Sequence, residues 1–520
     1  MKRRFIHLIW VLAVLVTAGC SKNFLNLEVQ GQSNPSNDPQ LAVDLVNGVY
    51  SSLIYIDPGG GWNTDTHGIS FIAATNIRSD DADKGSFAGD QPGIADLDNF
   101  TETPANSFVA ALWNGYYAGI SRANNALAAI QTAPMDTATK TELRAEVRFI
   151  RGYYYFNLVR FFGGVPIVLS VPTGPRQAKS DPSLVTRASD SDVYNQAIIP
   201  DLQFALHNLP LKSAQVVGRI TRGAAETLLA KVYLYEKNWT QAFALTQDVI
   251  NSNQYQLVPD YATIWRQEGD NDAESIFEIE TGGYGNSDAG IPLYSEMQGP
   301  RNKGGVWNNP NFNDPTGDLG WGFCTPTQDL VNAYEPGDLR KAATIITINP
   351  DPLAPSGDTL WDGFVIPNIN ETQSPYYNYK AYHSERKDGI ETFFGNRDRK
   401  IKNVHLLRYA EVLLINAEAA NELMQPSVAI TDLNQVRNRA GLANTTASSQ
   451  SDLRMAIWHE RRVELAMEHD RFFDIVRQGR AAQVMQGVGK NFVAGKNELL
   501  PIPATQIALS GGKLIQNPGY

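Results

Sequence analysis

Apolar side chains recur at three- and four-residue steps over several long stretches of this chain, and that spacing predicts a mainly helical protein. Leu41, Leu45, Val49 and Leu53 return every fourth residue until Asp57-Pro58-Gly59 stops the pattern. A second helix is predicted over 107–130, carrying Trp113, Tyr116, Tyr117 and Ile120. A third spans 137–162, where Ala145, Phe149, Tyr153, Phe156 and Val159 keep the helical step. Gly163-Gly164 ends it, and 165–168 reads as a short extended piece.

Two later stretches match one another. Leu229-Ala230, Tyr233 and Ala242 sit at the offsets of the small and aromatic positions in a tetratricopeptide helix hairpin, with Trp239 at the turn. Leu413, Ala417, Ala420, Ala429, Leu433 and Val436 repeat the arrangement, with Pro426 between the two helices. Small residues at such positions let paired helices approach closely. The expected fold is therefore mostly α, a scaffold of tetratricopeptide-like hairpins over 41–254 and 398–520. The span 255–397 differs: it is dense in Gly, Asn, Asp, Pro and aromatics and has little helical period. A long irregular insert with that aromatic content is expected to bind ligand. A further charged helix is predicted over 453–477, with Glu460, Arg461, Arg462, Glu464, Glu468 and Asp474 forming i,i+3 and i,i+4 pairs.

The N-terminus changes the picture of where this body resides. Lys2, Arg3 and Arg4 precede an apolar run over 5–16, and Thr17-Ala18-Gly19 lead into Cys20. A basic start, a short apolar core and small residues describe a secretory leader over 1–19 rather than a membrane span. A Cys directly after it is expected to be the lipid attachment site, followed by a polar tether over 20–40 that leads to a single body over 41–520. Cys20 and Cys324 are the two cysteines of the 520 residues, so acylation of Cys20 leaves no partner for an internal disulfide. The formal net charge is −11, and losing Lys2, Arg3 and Arg4 with the leader takes it to −14. That balance speaks against nucleic acid as a partner.

Few residues point to catalysis. His459-Glu460 begins a zinc-protease motif, but the position for the second His is Val463. Gly59-Gly60-Gly61 lacks the Lys-Ser/Thr of a phosphate loop, and no Gly-x-Ser-x-Gly occurs. The run Asp80-Asp81-Ala82-Asp83 admits a hydrolase pair. It also admits a structural calcium ion held by Asp80, Asp81 and Asp83, with a solvated acidic turn as the plainer reading. Trp62, Trp307 and Trp321 lie among glycines, and Tyr284, Tyr376 and Tyr377 are also in loop context. Together with Asp80 and Asp81 they are the candidate ligand-binding residues. An aromatic ring packs against the C–H face of a sugar, with Asn, Asp and Arg left to meet its hydroxyls.

Motifs along the whole mature chain resemble the SusD/RagB-like outer-membrane lipoproteins. They include 20–25 after the leader, Arg78-Ser79-Asp80-Asp81, Phe162-Gly163-Gly164-Val165-Pro166, and Thr221-Arg222-Gly223-Ala224-Ala225. His459-Glu460-Arg461-Arg462-Val463-Glu464-Leu465, Arg471-Phe472-Phe473-Asp474 and the closing Gln516-Asn517-Pro518-Gly519-Tyr520 complete the series. The resemblance implies a non-enzymatic binding protein on the cell surface, anchored in the outer membrane through the acylated Cys20. It further implies delivery of oligosaccharides or polysaccharides to a TonB-dependent SusC-like transporter. Peptide capture of the RagB kind is the alternative, and a glycoside hydrolase a more distant one. No cofactor is implied.

Overall fold

The computed structural model describes residues 35–54, 65–172, 174, 181–281, 294–301, 303, 320–351, 359–366, 368–370, 372–384, 387 and 402–520. The leader, Cys20 and the tether up to residue 34 lie outside them, as do Trp62, Tyr284 and Trp307, while the last two residues of the expected tether, Pro39 and Gln40, already belong to the first helix. Among the described residues no helix is long and apolar enough to cross a membrane.

The helices follow the sequence pattern closely. α1 (Pro39–Ile54), α2 (Ser107–Thr132) and α3 (Thr137–Phe162) pack on one another, and α3 also packs on α4 (Ile199–Asn208). The buried stripe of α1 is Ala42, Val46, Val49 and Leu53, one position off the Leu41–Leu45 register in its first two turns. Local chemistry sets the ends. The Asn106 side chain accepts the amides of Phe108 and Val109 at 3.0 and 3.3 Å, and Asp136 accepts Thr139 N at 2.9 Å. Gly163 terminates α3 with φ +71°.

α3 is buried around its whole circumference over 153–156, so each tyrosine hydroxyl there must find a partner. Tyr153 Oη lies 2.8 Å from His67 Nε2, Tyr154 Oη 2.7 Å from Ser52 Oγ, and Tyr155 Oη donates to Val168 O at 3.1 Å. That last bond fixes the extended piece after the helix, which joins no sheet. Gly119 on α2 is required by the close approach: a Cβ there would stand 2.4 Å from the Tyr154 ring. The chain's last residues brace the same helix, since Asn517 Nδ2 donates to Phe162 O and Leu500 O at 3.1 and 2.7 Å.

Both expected hairpins are present. α5 (Arg222–Tyr235) pairs with α6 (Trp239–Asn251), and α7 (Tyr409–Glu422) with α8 (Pro426–Arg439), while α6 packs on α7 to join them. Asn238, not Trp239, caps the first turn, and Pro426 opens α8 as its first residue rather than separating two helices. Three short antiparallel pairs complete the fold. β1 (Ala82–Gly85) pairs with β3 (Phe323–Pro326), β2 (Ser275–Ile279) with β6 (Val404–Arg408), and β4 (Ile345–Thr347) with β5 (Tyr376–Asn378). The β4–β5 pair covers a small second core that includes Ile346, Leu360, Phe364, Ile366 and Tyr377. Cys324 lies on β3, fully buried, and burial pushes its thiol pKa far up.

The charged helix expected over 453–477 is two helices, α9 (Gln450–Glu464) and α10 (Arg471–Arg477). Met467 and His469 adopt φ of +65° and +75° between them, which turns the chain. The charges there are spent mostly on distant partners instead of i,i+4 neighbours. Arg408 donates to Glu274 at 2.8 Å and Glu468 at 2.8 Å and is paired with Glu464. Glu464 also takes Arg439 at 2.5 Å and Arg340 at 2.9 Å. Arg461 bridges Glu411 at 2.5 Å and Asp474 at 2.7 Å. Burial pushes the Glu464 carboxyl up, and Arg439, Arg408 and Arg340 outweigh it, holding it well below the usual range. Glu468, Asp470 and Asp474 are likewise held low against their burial by Arg408, by Lys231 and by Arg461 respectively.

Arg408→Met should lower stability by about 3–5 kcal/mol, because it leaves buried carboxylates short of a partner; an unchanged thermal midpoint would contradict this. The four depressed carboxylates contribute fully above about pH 5, where their unfolded counterparts are already ionised, and that contribution fades as pH falls below about 4. The wild-type denaturant midpoint should therefore decline steeply on acidification, and less so in the Arg408→Met variant.

Candidate functional site

The β1–β3 pair is held unusually close at one end. Ser86 N donates to Gly322 O at 2.6 Å, and a Cβ on Gly85 would meet that same oxygen at 2.3 Å. Gly85 and Gly322 both have positive φ, +65° and +71°, so glycine is needed at each for conformation as well as space. Trp321 is placed by this pinch. Its amide donates to Glu296 O at 2.7 Å, and its half-buried ring packs on the edge of the main core. Arg301 binds the corner together through Nη1, which reaches Ser86 Oγ at 3.0 Å, Asp90 Oδ2 at 3.0 Å and Trp321 O at 3.1 Å. Its guanidinium carbon lies 4.4 Å from the Phe87 ring centroid. Burial raises the Asp90 carboxyl, but Ser86 and Arg301 together bring it below its ordinary value.

β5 runs beside β3 and carries Tyr376, half-buried, with Oη donating to Gln328 Oε1 at 2.7 Å. Phe87 and the half-buried Trp321 thus flank a guanidinium and a carboxylate near the surface. Partly open rings beside fixed polar groups suit a ligand with an apolar face and hydroxyl edges.

The other sequence candidates fall elsewhere. Tyr377, next to Tyr376, points to the opposite face of β5 and is fully buried in the small second core, its Oη 3.2 Å from Arg301 O. It is a packing residue rather than a ligand contact. Asp80 and Asp81 are also corrected. Both are buried, Asp80 bound by Arg471 at 2.7 and 2.8 Å and by Arg462 at 3.0 Å, and Asp81 by Arg462 at 2.8 Å. Burial raises the Asp80 pKa, but Arg471 and Arg462 bring it below normal; burial leaves that of Asp81 raised. Asp80 is fully engaged by arginines, and Asp81, which keeps a buried Oδ2 without a hydrogen-bond partner, is closed off from solvent, so neither faces a ligand. Asp83, the third residue considered for calcium, points out to solvent 3.6 Å from Lys490 Nζ. His459 is likewise remote from any zinc triad, because Val463 is a buried core residue.

The sequence reading passed over a second aromatic cleft, of about 660 Å³. Trp265, Trp361, Tyr379 and Tyr382 line it, with Arg266 at its mouth. The Arg266 guanidinium lies 4.5 Å from the Trp361 ring and Lys387 Nζ 5.0 Å. Trp361 precedes Asp362-Gly363, the same aromatic-in-loop signal that singled out Trp321. Trp321 and Arg301 of the first site and every aromatic of this cleft come from the irregular part of the chain.

Comparisons with known proteins bear on the whole of this architecture. A family model described as the SusD family matches residues 273–520, and one described as starch-binding associating with outer membrane matches 64–234. The SusD-like protein P2 of Formosa agariphila is 27% identical, covering 98% of this chain and 99% of that protein. A solved structure named as a laminarin binding SusD-like protein is 32% identical with a TM-score of 0.74, covering 93% of this chain and all of the other. Surface glycan-binding protein A from Bacteroides thetaiotaomicron, solved with laminarihexaose, shares the fold at a TM-score of 0.74 and 24% identity over 92% of this chain and 99% of that one.

Asp80→Asn should lower stability by about 2–3 kcal/mol, since it removes the two-point carboxylate partner of buried Arg471 and one of the carboxylates on Arg462. Asp83→Asn should stay within about 0.5 kcal/mol of wild type. Denaturant unfolding of both variants decides this, and a larger loss at Asp83 would return the acidic run to a functional role.

Proposed function

The chain belongs to the SusD family, and on that premise we propose that it is a cell-surface lipoprotein that captures oligosaccharides or polysaccharides for delivery to a SusC-like, TonB-dependent outer-membrane transporter. The observation that carries this reading is the half-buried Trp321 ring beside Phe87, Arg301 and Asp90 at one rim. Such a rim recognises a neutral sugar chain through stacking and directed hydrogen bonds. The kinship to a laminarin-binding protein at 32% identity supports a β-glucan of the laminarin type as the ligand class. The outer-membrane description of the matching family model, with Cys20 after a secretory leader, supports lipid anchoring at that membrane. A binding role also accounts for the acidic residues. The Asp80–Asp81 pair that a hydrolase would have needed is tied to arginines.

Laminarin should bind the purified protein saturably and release no new reducing ends. Trp321→Ala should weaken that binding at least tenfold, or about 1.4 kcal/mol, with an unchanged thermal midpoint. Binding of oligopeptides alone would move the protein to the peptide-capturing branch, and new reducing ends would make it an enzyme. Unchanged laminarin affinity in Trp321→Ala would transfer the site to the Trp361 cleft.

Cys20→Ser should release the protein from the membrane fraction in cells lacking the transporter. Retention of that variant in membranes would overturn the lipid anchor.

A further inference from the structure

Glu278 on β2 and His405 on β6 are direct cross-strand partners. The His405 side chain is 4% exposed, and its Nδ1 has no hydrogen-bond partner. It nevertheless lies 3.2 Å from Glu278 Oε1, close without the alignment of a hydrogen bond. Asp270, on the turn after Gln267–Gly269, brings a third donor, and one ligand atom from each residue falls within 4.8 Å of the others. Two donors on a tetrahedral ion, each about 2.0–2.1 Å from it, stand about 3.3 Å apart, which matches the Glu278–His405 spacing.

We propose that Asp270, Glu278 and His405 bind a divalent transition-metal ion of the zinc type, which ties the Gln267–Asp272 turn to the β2–β6 pair. One imidazole and two carboxylates form a neutral complex with a dication and leave a fourth position for water. An imidazole donor disfavours calcium and magnesium, which prefer oxygen throughout. The outer contacts of such a site are already in place. Asn271 N donates to Glu278 Oε1 at 2.9 Å and Asn403 Nδ2 to Glu278 Oε2 at 2.9 Å, fixing the carboxylate's orientation. Glu280 sits beside them with a buried Oε1 that has no partner, and so adds negative potential. A small surface pocket lined in part by Asn271, Glu278 and Glu280 adjoins the carboxylate. None of these residues belongs to the rim around Trp321.

The test is calorimetric titration of the full mature chain, stripped with EDTA, with zinc chloride. One equivalent should bind and raise the thermal midpoint. Asp270→Asn, at a half-buried turn residue, and His405→Gln should each weaken zinc binding at least tenfold. Asp270→Asn should leave the metal-free midpoint within about 2 °C of wild type, so that a folding failure of His405→Gln does not decide the matter. Absence of saturable zinc binding in the wild type overturns the proposal, and so does an unchanged affinity in Asp270→Asn.

Discussion

Glu464 receives three arginines that arrive from separate parts of the chain: Arg340 from the irregular insert, Arg408 from the end of β6, and Arg439 from the end of α8. A carboxylate buried at 0% exposure is intolerable without partners, and three buried guanidiniums are equally so. These groups therefore meet together or the fold fails locally. Clusters of this kind add little net stability over a well-packed apolar alternative, so their consequence lies in register. One docking of the second hairpin against α9 and the insert satisfies every member. Arg461, Arg471 and Arg462 extend the constraint to α7, α10 and the Asp80 turn. The irregular region is thereby held at a fixed place on the helical body.

The helices were legible because their signals are local. The apolar period, the Asn106 and Asp136 caps and the Gly163 stop each act within a few residues, and α3 was expected over the residues it occupies. The break between α9 and α10 was not legible. It depends on left-handed Met467 and His469, neither a glycine, and on tertiary contacts such as His469 N to Asn76 Oδ1 at 3.0 Å. The same reason explains the misreading of the charges. Helical spacing invited i,i+4 pairing, whereas Arg462 and Arg471 find Asp81 and Asp80 some 380–390 residues away in sequence. Sequence distance conceals such partners entirely.

The candidate site was legible only in kind. Aromatics among glycines pointed to Trp321, which stands half-buried beside Arg301, and loop context to Tyr376, half-buried on β5. Tyr377 could not be told from Tyr376 without knowing that both sit on a strand, where adjacent side chains face opposite ways. Trp361 carried the same signal as Trp321 but was not singled out. The helical layer and the rim also differ in what they demand of sequence. The first requires close complementarity, as at Gly119 against Tyr154, while the second uses half-exposed rings with room around them.

The small core beneath β4 and β5 separates those demands further. Ile346, Leu360, Phe364 and Tyr377 pack chiefly with one another, apart from the large core that joins the helices. A change confined to that cluster meets the hairpins only through the insert's charged anchors, Arg340 and Lys380, and not through shared apolar packing. Descendants of one ancestral chain can thus diverge in what they recognise while inheriting an unaltered framework, which makes this segment the natural seat of evolutionary change.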